Sequence, residues 1–163
     1  MAHEHHKNIP VIAAVITVSS SRTEKTDISG KVIVEAFRNA GMTAEEPVIV
    51  PDGRVQIRSA VEAALASPAN CIVVNGGTGI TRDDITIESV APLFEKRMEG
   101  FGELFRAKSL AQIGTAVILT RADAGVVNGK AIFCIPGSPH AGKLAAEEII
   151  VPEIEHILTH AGD

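Results

Sequence analysis

The segments "VIAAVITVS" (residues 11–19) and "NCIVVN" (70–75) constrain the fold more than anything else in the chain. Both read as short β-strands, and both are apolar at nearly every position. A strand with one face in water alternates apolar and polar residues, so strands without that alternation need cover on both faces. Helical patterns lie between the strands and can supply the cover. Asp27 is placed to cap a helix whose apolar face is Ile28, Val32, Ala36 and Ala40, with Ile33 and Phe37 beside it, and Gly41 stops it. "EEPVIVPD" (45–52) reads as a second, shorter strand ended by Pro51. A helix from Asp52 turns Ile57, Val61, Ala64 and Leu65 inward. Helical patterns follow around "TIESVAPLF" and "GFGELFRAKSL", then a strand-like "TAVILTR", a turn at "NGK" and a strand in "AIFCIP". The closing helix, "HAGKLAAEEIIVPEIEHILTH", is expected to bend or split at Pro152.

Strands separated by helices imply parallel pairing through crossovers, hence a three-layer α/β/α sandwich with a mostly parallel central sheet. The 163 residues suit one domain, residues 10–163, behind a flexible tail of residues 1–9. The tail's "HEHHK" reads as a frayed terminus without a role in any reaction.

Composition narrows the partners. Hydrophobic residues make up 45%, an excess that leaves room for a subunit interface. The formal charge is −5 and the chain has no Trp or Tyr, which removes both the basic footprint and the stacking platform of a nucleic-acid binder. No apolar run approaches the roughly 20 residues of a membrane helix, and "MAHEHHKNIP" lacks the regions of a signal peptide. Cys71 and Cys134 lie in strand-like runs and read as reduced core residues, so a cytoplasmic location is expected. A small-molecule site is the better expectation, and in such sheets it lies beyond the carboxyl ends of the strands.

Four loops there are informative. Gly76-Gly77-Thr78-Gly79 directly follows a strand. It is either a tight turn needing positive φ or a nest of backbone N–H groups for an anion. A dinucleotide fingerprint would need glycine at position 82, which is Arg, and no G-K-[ST] follows to make a P-loop. Asp83 and Asp84 come next, as helix caps or with one of them recruiting Mg²⁺ to a phosphate. In "VPDGR", Asp52 reads as an N-cap when taken alone, and as a second carboxylate if the loops converge on a phosphate. In "PGSPHAG", Ser138 and Pro139 match an N-cap and N1 pair that also opens an anion-binding helix end.

Together, GGTG-x₄-D-I-T and F-C-I-P-G-S-P resemble the MoaB/MogA family of molybdenum cofactor biosynthesis, most nearly its protein B branch. The likeness continues through "TVSSSRT", "DISG", "EGFGELFR", "IGTAVILTRADAGVVNGK" and "VPEI", from about Val11 onward. The resemblance implies a Rossmann-like fold and a molybdopterin adenylyltransferase, which moves AMP from Mg-ATP to the terminal phosphate of molybdopterin and releases pyrophosphate. It places the family's two essential aspartates, as Mg²⁺ ligands, on Asp52 and Asp84. Gly76, Gly77, Thr78 and Gly79 would contact the ligand, and Pro136, Gly137, Ser138 and Pro139 would face them. Ser19, Ser20 and Ser21 match the polar loop after the first strand, Asp27, Ser29 and Gly30 the D-x-S-G element, and Glu103 a further site position. Asp83 stands where many members carry Arg, with Arg82 one position earlier. Arg82, Lys108 and Lys143 are candidate phosphate partners. The resemblance further implies a homotrimer or hexamer and a metal-inserting partner enzyme. A non-catalytic molybdopterin carrier or scaffold is the alternative, and retention of both aspartates favours catalysis.

Overall fold

In a computed structural model that describes residues 8–163, β1 (Ile12–Val18), β4 (Cys71–Asn75) and β7 (Lys130–Ile135) form the parallel centre of a seven-stranded sheet. Two short strands, β2 (Thr43–Ala44) and β3 (Val48–Val50), pair parallel with the far edge of β1. On the other side, β6 (Asp123–Val127) runs antiparallel to β7, and β5 (Lys96–Arg97) antiparallel to β6. The chain thus leaves β1 in one direction and returns past it to β4, which puts the switch in strand order between those two strands.

Side-chain alternation along the central strands divides the core into two layers. Cys71, Val73, Ala131, Phe133 and Ile135 face one layer with Ala13 and Val15. That layer is closed by α1 (Ile28–Asn39), α4 (Glu99–Ile113), α5 (Pro139–Ala145) and α6 (Val151–Ala161), through Ile33, Phe37, Phe105, Leu144 and Ile154 among others. Ile72, Val74, Ile132 and Cys134 face the opposite layer, under Ile57 and Val61 of α2 (Arg54–Ala66) and Val90 of α3 (Thr86–Val90). Helices on both faces of a mostly parallel sheet make the three-layer α/β/α sandwich expected from the double-sided strands. Both cysteines are buried and unbonded, and burial holds their thiols well above the ordinary cysteine range.

Local signals vary in how well they predict the outcome. Asp27 caps α1, its Oδ1 accepting from Gly30 N at 3.0 Å, and Gly41 follows the helix at φ 79°. The buried face of α1 is nevertheless Ser29, Gly30, Ile33, Val34, Ala36 and Phe37, while Ile28 is 60% exposed. The capping network draws the first turn inward through Ser29 and Gly30, which rotates Ile28 out. Of the strand expected over 45–52 only β3 (Val48–Val50) forms; Glu45 to Pro47 lie outside any strand and follow the short β2.

"TAVILTR" is not a strand. Residues Gly114–Leu119 form a 3₁₀ helix. The place beside β7 is taken by β6, because Asn128 (φ 51°) and Gly129 (φ 75°) close a two-residue hairpin and set the register Val127↔Lys130. The closing helix divides through a π-helical segment (Ala146–Ile150), which ends just before Pro152 enters the first turn of α6. Of the expected tail 1–9, "HEHHK" lies outside the described residues, and Ile9 packs half-buried against the core.

Candidate functional site

The loops that follow β1, β3, β4 and β7 meet at the carboxyl rim of the sheet around a cavity of about 560 Å³. That size lies within the range of small-molecule sites. Ser19, Ser20 and Ser21 line it from the first loop, Asp52 from the second, Gly76, Gly77, Thr78, Gly79 and Asp84 from the third, and Pro136 and Gly137 from the fourth.

Backbone geometry explains the glycines. Gly76 has φ 100°, and a Cβ there would collide with the carbonyl oxygen of Val18. A Cβ on Gly137 would come within 3.0 Å of Gly76 Cα, so the third and fourth loops touch main chain to main chain. Gly76 N donates to Ile135 O at 2.9 Å, whereas the N–H groups of Gly77, Thr78 and Gly79 find no acceptor among the described residues. Main-chain donors left over beside a polar cavity make an anion site. The helix that follows contributes little, because α3 starts only at Thr86 and has five residues.

Neither Asp52 nor the pair Asp83–Asp84 caps a helix, contrary to the local reading. The N-cap of α2 is Gly53, and Asp52 instead accepts from Ser20 Oγ at 2.9 Å while its own N–H donates back to that oxygen at 3.1 Å. The N-cap of α3 is Ile85, without a side-chain bond. Asp84 Oδ2 accepts from Thr81 N at 3.0 Å and from Thr81 Oγ1 at 2.7 Å. Each carboxylate is thus oriented through one oxygen by neutral donors, and Oδ1 of each has no protein partner among the described residues. Asp83 and Arg82 are exposed, and neither lines the cavity.

Behind the rim lies a buried polar network. Thr17 Oγ1 donates to Asp27 Oδ2 at 2.7 Å, Ser29 Oγ to Asn75 Oδ1 at 2.8 Å, and Asn75 Nδ2 to Thr17 Oγ1 at 3.0 Å. All four side chains are buried. Asp27, Ser29 and Gly30 therefore support the rim from behind and do not line it. Ser138 caps α5 through Ala141 N at 3.1 Å and is followed by Pro139, both just outside the cavity. Glu103 sits exposed on α4 and does not line the cavity.

Two arginines on the rim were missed by sequence reasoning. Arg22 Nη1 donates to Ser29 Oγ and to Gly137 O, both at 2.8 Å, joining the first loop to the fourth. Arg121 Nε donates to Thr78 O at 2.9 Å and Gly79 O at 3.1 Å, while its Nη atoms grip both oxygens of Glu88 at 2.6 and 3.0 Å. That hydrogen bonding holds Glu88 below the usual carboxylate range and raises Arg121 further. Lys108, by contrast, pairs with Glu148 at 3.3 Å, and neither Lys108 nor Lys143 lines the cavity. Nothing in the local pattern distinguished Arg22 and Arg121 from surface cations, since Gly137 for Arg22 and Thr78, Gly79 and Glu88 for Arg121 are partners distant in sequence.

An open α/β sheet with main-chain donors and two carboxylates gathered at its switch point has the Rossmann-like arrangement in which small ligands bind at that rim. Residues 14–156 match the family described as a probable molybdopterin binding domain, and the chain belongs to that family. It is 42% identical over 159 residues to the molybdenum cofactor biosynthesis protein B of Bacillus subtilis (strain 168), covering 95% of this chain and 94% of that one. It is 45% identical over 166 residues to the molybdopterin adenylyltransferase of Pyrococcus furiosus, at 97% and 96% coverage. A crystal structure of a molybdenum cofactor biosynthesis protein B superposes with a TM-score of 0.90 at 39% identity, covering 94% of this chain and 96% of that one. The family resemblance carried by the two loop motifs is borne out.

Proposed function

We propose that this chain acts in molybdenum cofactor biosynthesis as a molybdopterin adenylyltransferase. The observation that carries the reading is the convergence of Asp52, Asp84 and the main-chain donors of Gly77, Thr78 and Gly79 on one cavity. In this reaction an oxygen of the pterin's terminal phosphate forms a bond to the α-phosphorus of ATP. The bond from that phosphorus to the pyrophosphate oxygen breaks, and pyrophosphate leaves. The attacking oxygen is already ionised at neutral pH, so no general base is required of the protein. Its work is to hold two polyanions in line and offset their repulsion.

Gly77, Thr78 and Gly79 do this with main-chain donors, and the Pro136–Gly137 turn, packed against Gly76, continues that wall. Two carboxylates with a free oxygen each fit Mg²⁺, which takes one or two protein carboxylates and completes its shell with substrate oxygens. When bound, Mg²⁺ would neutralise charge developing on the phosphates. Ser20 and Thr81 hold Asp52 and Asp84 ready for it.

Residues 10–163 act as one domain in this reading, working in the cytoplasm and handing the product to a metal-inserting enzyme. Among the described residues no helix is long and apolar enough to cross a membrane. The chain self-associates as a trimer or hexamer in this reading, and Ile113, Ile118 and Leu119, exposed around the 3₁₀ segment, offer apolar surface for it. Supplying molybdopterin with Mg-ATP and following pyrophosphate tests the function. Release is expected from the wild type. Pterin binding without release would instead favour a carrier.

A further inference from the structure

Charge at the cavity is unevenly matched. Asp52, Asp84, Arg22 and Arg121 are the ionised side chains on its lining. Arg121 is spoken for, since Glu88 takes both of its Nη groups and the Thr78 and Gly79 carbonyls take its Nε. Arg22 is held differently. Its Nη1 has two acceptors, the Ser29 hydroxyl and the Gly137 carbonyl, and both are neutral. Its Nε and Nη2 have no acceptor among the described residues, and no carboxylate pairs with it there. The nearest acidic group along its contacts is the buried Asp27, whose Oδ1 lies 3.4 Å from Ser29 Oγ, with the hydroxyl between.

A guanidinium has five N–H donors in a rigid fork that matches a phosphate, and Arg22 commits only one nitrogen to the protein. That nitrogen fixes the head between Ser29 of α1 and the Pro136–Gly137 turn, so little side-chain entropy remains to be lost on binding. We propose that Arg22 is a phosphate-binding residue of this cavity, receiving a phosphoryl group of the substrate on Nε and Nη2. The proposal rests on the phosphate-transfer reading of the site. The group comes either from the nucleotide's polyphosphate or from the pterin's terminal phosphate, and both offer the same oxygens.

Calorimetric titration of inorganic pyrophosphate, ATP and molybdopterin into wild type, Arg22→Gln, Arg22→Lys and Lys143→Gln, each at low and high salt, tests it. Arg22→Gln should weaken at least one ligand about tenfold or more and flatten its salt dependence, because a charge contact is lost. Arg22→Lys should recover part of the affinity, and Lys143→Gln should match the wild type. Loss on pyrophosphate and ATP assigns Arg22 to the nucleotide, and loss on molybdopterin alone assigns it to the pterin. If Arg22 merely ties two loops together, Arg22→Gln lowers the Tm but leaves every affinity and salt slope unchanged, which overturns the proposal. Should Arg22→Gln not fold, Arg22→Lys decides, since it keeps the charge and loses the fork: unchanged affinity for all three ligands overturns the proposal. Wild type that turns over, with unaltered KM for both substrates in Arg22→Gln, removes Arg22 and leaves the function standing. Weakened phosphate binding in Arg22→Gln with no turnover in wild type does the reverse.

Discussion

At the scale of single residues, the rim in the proposed function separates groups that would face the ligand from groups that shape the loops. Asp84 belongs to the first kind. Asp84→Asn keeps the bulk and hydrogen bonding of the side chain but removes the charge, so kcat is expected to fall by about 10² or more while the Kd for molybdopterin changes little. Steady-state kinetics with a parallel binding titration checks this, and an unchanged kcat removes Asp84 from the reaction. Glu88 belongs to the second kind, fixing Arg121 against the carbonyls of Thr78 and Gly79. Its carboxyl binds a proton more weakly in the folded chain than its ordinary value of 4.5. The unfolded state therefore holds more protons, and the pair's contribution is present above that pH and lost as pH falls through the lowered folded value. Both partners are part-exposed, so the pair is worth on the order of 0.5 kcal/mol. Glu88→Gln should lower the Tm by about 1–2 °C at pH 7, and the difference should close well below pH 4.5. Thermal melts across that range decide it; a gap that persists in acid contradicts the assignment.

At the scale of elements, glycine loops and hairpin turns explain why some of the architecture was legible and some was not. "NCIVVN" and "VIAAVITVS" announced a doubly covered sheet because their composition admits no wet face, and the GGTG and PGSP loops were legible because few residue types tolerate such backbone. "TAVILTR" misled for the opposite reason. Its composition suits a strand, but the Asn128–Gly129 turn pairs β6 with β7, leaving Gly114–Leu119 outside the ladder. Asp52 misled likewise, since a hydrogen bond to Ser20 across 32 positions outcompetes a local cap. Arg22, Arg121 and Asn75 were invisible for the same physical reason, their partners being brought near only by the fold. The third loop itself is testable as an element. Gly76→Ala places a Cβ on Val18 O at a φ of 100°. It is expected to cost about 2 kcal/mol, or a Tm loss of about 4–8 °C by calorimetry. A Tm within 1 °C of wild type would show that the loop relaxes freely.

At the scale of the whole molecule, the sheet's strand order decides where the loops gather, and the exposed apolar surface is where the proposed self-association would occur. Ile118 is 84% exposed and Leu119 is 53% exposed, and Leu119 also lines the cavity. Self-association through this segment would place subunit contacts beside the site. Sedimentation equilibrium should give three or six copies for the wild type and a lower mass for Ile118→Lys; a monomeric wild type contradicts the association. The central claim is that the gathered loops transfer an adenylyl group and do more than hold a pterin. Mass spectrometry of molybdopterin recovered from a single turnover with Mg-ATP tests it most directly. One AMP is expected on the terminal phosphate with wild type and none with Asp84→Ala, which still binds the pterin. Unmodified molybdopterin recovered from wild type, or adenylylated molybdopterin from Asp84→Ala, would contradict it.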